Sequence, residues 1–141
     1  MVDDKKLHAL LLKISAAHKK HCRQSFQDLG LTEGQPKVLA FLQSVEGCLQ
    51  KELADLCHVE QATMTSLLKN MEQSGLIEKR KEVSGGKRVF RVYLTQNGKE
   101  TAKKVDDIVD SVENICFSGF SKEEKEQFLT MFAKISDNLL A

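Results

Sequence analysis

The sequence predicts a mainly α-helical chain that carries one small β-hairpin. Three observations lead there. Apolar residues recur at helical spacing in six segments. One stretch, Val89-Phe90-Arg91-Val92-Tyr93-Leu94, is instead dense in β-branched and aromatic residues. Just before it, Ser84-Gly85-Gly86-Lys87 supplies a turn.

The first helix is expected from Asp3 to Leu29, with Leu7, Leu10, Leu11, Ile14 and Ala17 on one stripe and Gly30 just past its end. Thr32 and Gln35 have the spacing of a capping box, and Pro36 falls in the first turn, where its missing donor costs little. Val38, Leu39, Phe41 and Leu42 then make a short buried helix, followed by a loop from Ser44 to Cys48. The third helix is expected over Leu49–Cys57, with Leu49, Leu53, Ala54 and Leu56 inward. His58 suits a left-handed turn, because His, Asn and Asp tolerate positive φ better than most residues.

A fourth helix is expected from about Glu60 to Ser74. Met64, Leu67, Leu68 and Met71 define its core face, and Gly75 caps it. Strands are expected at Ile77–Glu82 and Arg88–Thr95. The glycine-rich turn between them is not a phosphate loop, which joins a strand to a helix and has a different spacing. Asn97–Phe117 reads as a helix with Val105, Ile108, Val109, Val112, Ile115 and Cys116 in a stripe. Ser121-Lys122-Glu123-Glu124 is a second capping box, opening a last helix with Phe128, Leu129, Phe132, Ile135, Leu139 and Leu140 inward. A short helix, a tight turn and a second helix, followed by a hairpin with a basic, glycine-rich tip, describe a winged helix-turn-helix.

The chain has 141 residues, enough for one ordinary domain, and 41% of them are apolar. No apolar run approaches the ~20 residues needed to cross a bilayer. The N-terminus MVDDKKLHALLLK lacks the long apolar region and small-residue cleavage site of a signal peptide, so a cytoplasmic protein without membrane partners is expected. Cys22, Cys48, Cys57 and Cys116 are scattered, which favours reduced, buried thiols over a disulfide framework. No nucleophile motif, paired-carboxylate arrangement or cofactor fingerprint appears, so neither an enzyme nor a cofactor is expected.

Net charge is +1, and the distribution is more telling than the sum. Lys79, Arg80, Lys81, Lys87, Arg88 and Arg91 crowd into the hairpin, opposed there by Glu78 and Glu82. Such a cluster is the electrostatic footprint of a nucleic-acid binder. The solvent face of the fourth helix offers Gln61, Ala62, Thr63, Thr65, Ser66 and Lys69. Gln61 suits an adenine edge, Ala62 a thymine methyl, and the hydroxyls either bases or phosphates. Lys87 and Arg88 flank a tip whose glycines let backbone approach closely, and an arginine there suits a narrow minor groove. These eight residues are the candidate DNA contacts. The terminal helices carry more apolar stripe than a lone winged domain needs, which fits a twofold dimer reading a pseudo-palindromic site with half-sites about 34–36 Å apart.

The chain resembles the MarR family of transcriptional regulators along nearly its whole length. The resemblance rests on Leu31-Thr32…Gln35, Leu53-Ala54, Thr63-Met64-Thr65…Leu67-Leu68…Met71-Glu72…Gly75-Leu76-Ile77 and Leu94-Thr95…Gly98. It implies a helical homodimer that usually represses promoters and is released by a small phenolic ligand, an oxidant or a metal. It also implies three regions: an N-terminal dimerisation helix over 1–30, a DNA-binding winged helix-turn-helix over 31–98, and C-terminal dimerisation helices over 99–141. Two departures stand out. Gly86 occupies the place where the family often has an aspartate two residues before the wing arginine, here Arg88, and Ser66 and Asn70 stand where many members carry arginine.

For the signal, the resemblance favours a small-molecule effector. Two alternatives come from residues. His18, His21 and Cys22 share helical spacings of three and four, which suits a soft divalent metal such as zinc but supplies three ligands where a structural site wants four. Cys22 beside basic neighbours is also a candidate thiol sensor, and Cys48, in a loop, is expected to be the most exposed cysteine. A winged module that binds protein instead of DNA is the remaining alternative.

Overall fold

A computed structural model describes residues 5–141. Its elements run α1 (Leu7–Asp28), α2 (Gln35–Val45), α3 (Gln50–Cys57), α4 (Gln61–Gln73), β1 (Ile77–Ser84), β2 (Lys87–Leu94), α5 (Gln96–Cys116) and α6 (Lys122–Leu140). The expected start of the first helix at Asp3 lies outside the described residues. The chain divides into two compact units, one up to Val109 and one over Asp110–Ala141, and the division falls inside α5.

The first unit is built around α2, α3, α4 and the hairpin. Val38, Leu39, Leu42, Leu53, Cys57, Met64, Leu68, Met71 and Val92 are fully buried, and Ile77 nearly so. Ala102 and Val105 of α5 belong to the same cluster. Two expected core positions are exposed, Phe41 at 37% and Leu56 at 38%, and Leu49 and Leu67 are half-buried. Phe41 and Leu56 each sit at the border of their helix's apolar stripe, next in sequence to a buried residue, so the true core face is narrower than the run of apolar letters suggests.

Helix ends are set by backbone conformation more than by side-chain caps. After α1, Gly30 takes φ +78° and its N–H bonds Gln27 O, while Leu31 N–H bonds Phe26 O. After α4, Gly75 takes φ +76°, with Gly75 N–H on Glu72 O and Leu76 N–H on Met71 O. Both are Schellman endings, where glycine adopts the left-handed conformation at no Cβ cost. The Thr32–Gln35 capping box forms by half. The Gln35 side chain accepts from Thr32 N–H at 3.1 Å, yet α2 opens at Gln35 with left-handed Gly34 as its N-cap and no side-chain cap. Gly34, not Thr32, therefore sets the entry.

In the second unit Ser121 behaves as its spacing predicts: its hydroxyl accepts from Glu124 N–H at 3.0 Å and Glu124 reaches back to Ser121 N–H at 2.9 Å. Phe117, Phe120 and Phe128 meet edge to face, and Phe128 stacks on Phe132 at 5.3 Å. The α6 stripe expected to face inward stays largely open, with Phe128, Leu129 and Phe132 about 40% exposed and Leu139 and Leu140 above 70%. The α1 stripe is likewise open at Leu7, Leu11 and Ile14.

Candidate nucleic-acid interface

The interface starts from the turn between α3 and α4. His58 ends α3 at φ 55°, ψ 44°, the left-handed conformation its identity favours, and its N–H bonds back to Asp55 O. That sharp reversal launches α4 with Met64, Leu68 and Met71 buried. Geometry then requires Gln61, Ala62, Thr63, Thr65, Ser66 and Lys69 to face solvent, and all six are exposed. No acidic residue lies in the first turn of α4, and its N-cap Glu60 makes no side-chain cap.

Two side chains on this surface are tied together. Gln50 Nε2, at the start of α3, donates to the Thr65 hydroxyl at 2.8 Å, and that hydroxyl donates to Gln61 O at 2.9 Å. Nothing in the sequence marks this pair, which lies fifteen residues apart and meets only through the angle between α3 and α4.

The wing is an antiparallel hairpin with Ile77 opposite Leu94 and Ser84 opposite Lys87. Gly85 and Gly86 take φ +59° and +78°, the pair of positive values that a two-residue turn of the primed type demands. The strands run two residues farther toward the tip than the sequence predicts for β1, because the two glycines close the turn without a loop. A third segment pairs with the wing base. Leu49 bridges Arg91, Gly47 N–H bonds Val92 O, and Val92 N–H bonds Cys48 O. Glu46 Oε1 also accepts from Leu94 N–H at 3.1 Å.

The six hairpin cations separate into three groups. Arg91 forms an ion pair with Glu82 and donates to Gly47 O at 3.0 Å. Arg80 pairs with Glu78 at 2.6 Å and lies 3.9 Å over the Tyr93 ring. Their carboxylate partners push both guanidinium pKa values up, first through the hydrogen bond and also through the charge. Both acids of the hairpin are thus consumed by two arginines that brace it. Lys79 lies 5.9 Å over Phe90. Lys81, Lys87 and Arg88 are exposed and in no ion pair among the described residues. The positive charge left unneutralised therefore concentrates toward the tip.

The candidate signal residues fare differently. Cys22 is 3% exposed, whereas His18 and His21 stand in solvent. His21 and Cys22 are neighbours, about 100° apart around a helix, so the one-face expectation fails for that pair. Among the described residues no three His, Cys, Asp or Glu side chains gather as a metal site. Burial of Cys22 also withdraws the exposure that a thiol sensor needs. Cys48 is not the most exposed cysteine: it is half-buried and Cys116 is exposed. Burial, then Glu52, raise the Cys48 pKa, and burial raises that of Cys57.

A model of the MarR family matches residues 29–88, the stretch from the end of α1 through the wing tip. The regulator YybA of Bacillus subtilis is 27% identical over 114 residues, covering 81% of this chain and 75% of that protein. The crystal structure of MarR superposes with a TM-score of 0.85 at 26% identity, covering 99% of this chain and 95% of the other. Residues 29–88 match the MarR family, and the chain resembles MarR-family regulators in sequence and fold. The transcriptional repressor Mb2911 of Mycobacterium bovis is 25% identical over 98% of this chain and 99% of its own length. A Staphylococcus aureus MepR mutant bound to an oligodeoxyribonucleotide superposes with a TM-score of 0.62 at 26% identity, over 95% of this chain and 98% of that one. The fold and the relatives of this chain are those of transcriptional regulators, not of enzymes.

Proposed function

We propose that this MarR-family regulator is a homodimeric repressor that binds a pseudo-palindromic duplex DNA operator in the cytoplasm and is released by a small-molecule or chemical signal. One observation carries the DNA reading: an exposed face of small polar groups on α4 adjoins a wing whose two acids are consumed by Arg80 and Arg91, leaving Lys81, Lys87 and Arg88 unneutralised. Gln61, Ala62, Thr63, Thr65, Ser66 and Lys69 enter the major groove, and Lys87 and Arg88 reach the adjacent minor groove or its phosphates. The oligonucleotide complex of the MepR mutant and the repressor name of Mb2911 support the same reading.

Residues 31–98 form the DNA-binding region. Residues 1–30 and 99–141 supply dimer contacts, because the open apolar faces of α1 and of α6 are more than a monomer in water retains at no cost. No helix among the described residues is long and apolar enough to cross a membrane.

The test is selection from random duplex DNA with purified protein. The expected product is a pseudo-palindrome whose half-sites lie about one helical turn, ~10 bp, apart. Failure to enrich any duplex, before and after treatment with reductant and chelator, would contradict the proposal and favour a winged module that binds protein.

A further inference from the structure

The Gln50–Thr65–Gln61 chain restricts what Thr65 can say to DNA. A threonine hydroxyl has one proton and two acceptor lone pairs. The Thr65 proton is directed to Gln61 O at 2.9 Å, and one lone pair is taken by Gln50 Nε2 at 2.8 Å. A single lone pair is left. Thr65 therefore faces solvent as an acceptor and not as a donor.

Phosphate oxygens only accept, so a hydroxyl in this state cannot bind one. Among base edges of the major groove, the groups that donate are the N6 amino of adenine and the N4 amino of cytosine. Guanine O6 and N7 and thymine O4 only accept and are refused. Gln50 is what holds this state. Its N–H takes one of the two directions, other than the Gln61 carbonyl, toward which the hydroxyl proton could turn, and so favours the proton's staying on that carbonyl. Gln50 sits at the first position of α3, outside the recognition helix, and is half-buried.

We infer that Gln50 is a positioning residue for base selection, fixing Thr65 as an acceptor that reads an adenine or cytosine amino group at one base pair in each half-site. The inference rests on the DNA-binding reading above.

The experiment measures relative affinities of the full-length protein for its selected duplex and for duplexes carrying each other base pair at every position. It compares wild type with Gln50→Ala, Thr65→Val, Thr65→Ser and the Gln50→Ala/Thr65→Val double variant. Thermal unfolding of each variant shows that it folds. In the wild type, one position per half-site prefers an adenine or cytosine in the strand facing Thr65. Gln50→Ala reduces that preference about fivefold, the scale of one hydrogen bond, and leaves the other positions unchanged. Thr65→Ser keeps the preference and Thr65→Val abolishes it. In the Thr65→Val background, Gln50→Ala changes nothing further. A Gln50→Ala profile identical to wild type, or a uniform loss across all positions, would overturn the inference while the DNA-binding reading stood. Independent effects of the two substitutions would also overturn it. A wild type that enriches no duplex would remove both.

Discussion

Arg88 and Arg91 lie on one strand, yet their environments assign them different tasks. Arg91 is held by Glu82 and Gly47 O, so it shapes the wing base. Arg88 has no such partner among the described residues. Composition shows a cluster of six cations with two acids. It does not show which cations the acids take, because Glu82–Arg91 is set by a cross-strand register and Glu78–Arg80 by a shared sheet face. The cysteines make a similar point. Sequence anticipates that Cys57 packs, and it is fully buried. Sequence misplaces Cys48, because the loop carrying it is drawn against β2 by a backbone bond to Val92. With their pKa values raised by burial, Cys48 and Cys57 are poor thiolates at neutral pH. Mass spectrometry after brief maleimide labelling should therefore find Cys116 modified first, with Cys48 and Cys57 slow. In the unfolded chain these two thiols lose protons at lower pH than in the native state, so their contribution is intact below the ordinary thiol range and is lost as pH rises through the raised values. Denaturant midpoints should fall on the alkaline side, and Cys48→Ser/Cys57→Ala should flatten that fall.

At the scale of elements, the helices and hairpin are legible in the sequence because each carries its own period: i, i+3, i+4 in α4 and a β-branched, aromatic run in β2. Turns are legible where one residue type answers one backbone need, as at Gly75, His58 and the Gly85-Gly86 tip. What joins elements is not legible. The short pairing of Leu49 with Arg91 has no local signature, and neither does the Gln50–Thr65 bond. One junction is both local and tertiary. Thr95 accepts from Gly98 N–H at 3.0 Å and donates to Gly75 O at 2.6 Å, opening α5 against the end of α4. A Cβ on Gly98 would lie 1.9 Å from Leu76 O, which is backbone and cannot step aside. Gly98→Ala should cost about 3 kcal/mol of stability, at the upper end for overpacking, and lower the melting temperature accordingly. A melting curve unchanged from wild type would show that the junction yields without strain.

At the scale of the molecule, apolar patterning tells which helices have a second face but not what covers it. The stripes of α1 and α6 are inward by pattern, and in the single chain they are open. A second copy supplies the missing cover in the proposed dimer, and the Phe117–Phe120–Phe128–Phe132 cluster gives the α6 face a rigid aromatic base. Phe132→Asp places a charge on the exposed stripe. Sedimentation equilibrium should show wild type as a dimer and this variant shifted toward monomer, with operator affinity falling because two linked half-sites become two separate ones. A monomeric wild type would contradict the dimer.

In the proposed complex the tip of the wing and the face of α4 neutralise DNA phosphates and read the grooves. The salt dependence of operator binding tests this most directly. Fluorescence anisotropy on the selected duplex would be measured across salt for wild type, Arg88→Ala and Arg91→Ala. Removing one phosphate-binding cation flattens the plot of log affinity against log salt by about 0.9. A steep slope is expected for wild type and one flatter by about two for Arg88→Ala, because the substitution removes one such cation from each protomer. For Arg91→Ala the slope should be unchanged and the melting temperature lower. A flat wild-type slope, or Arg88→Ala binding with wild-type affinity and slope, would contradict the proposed complex.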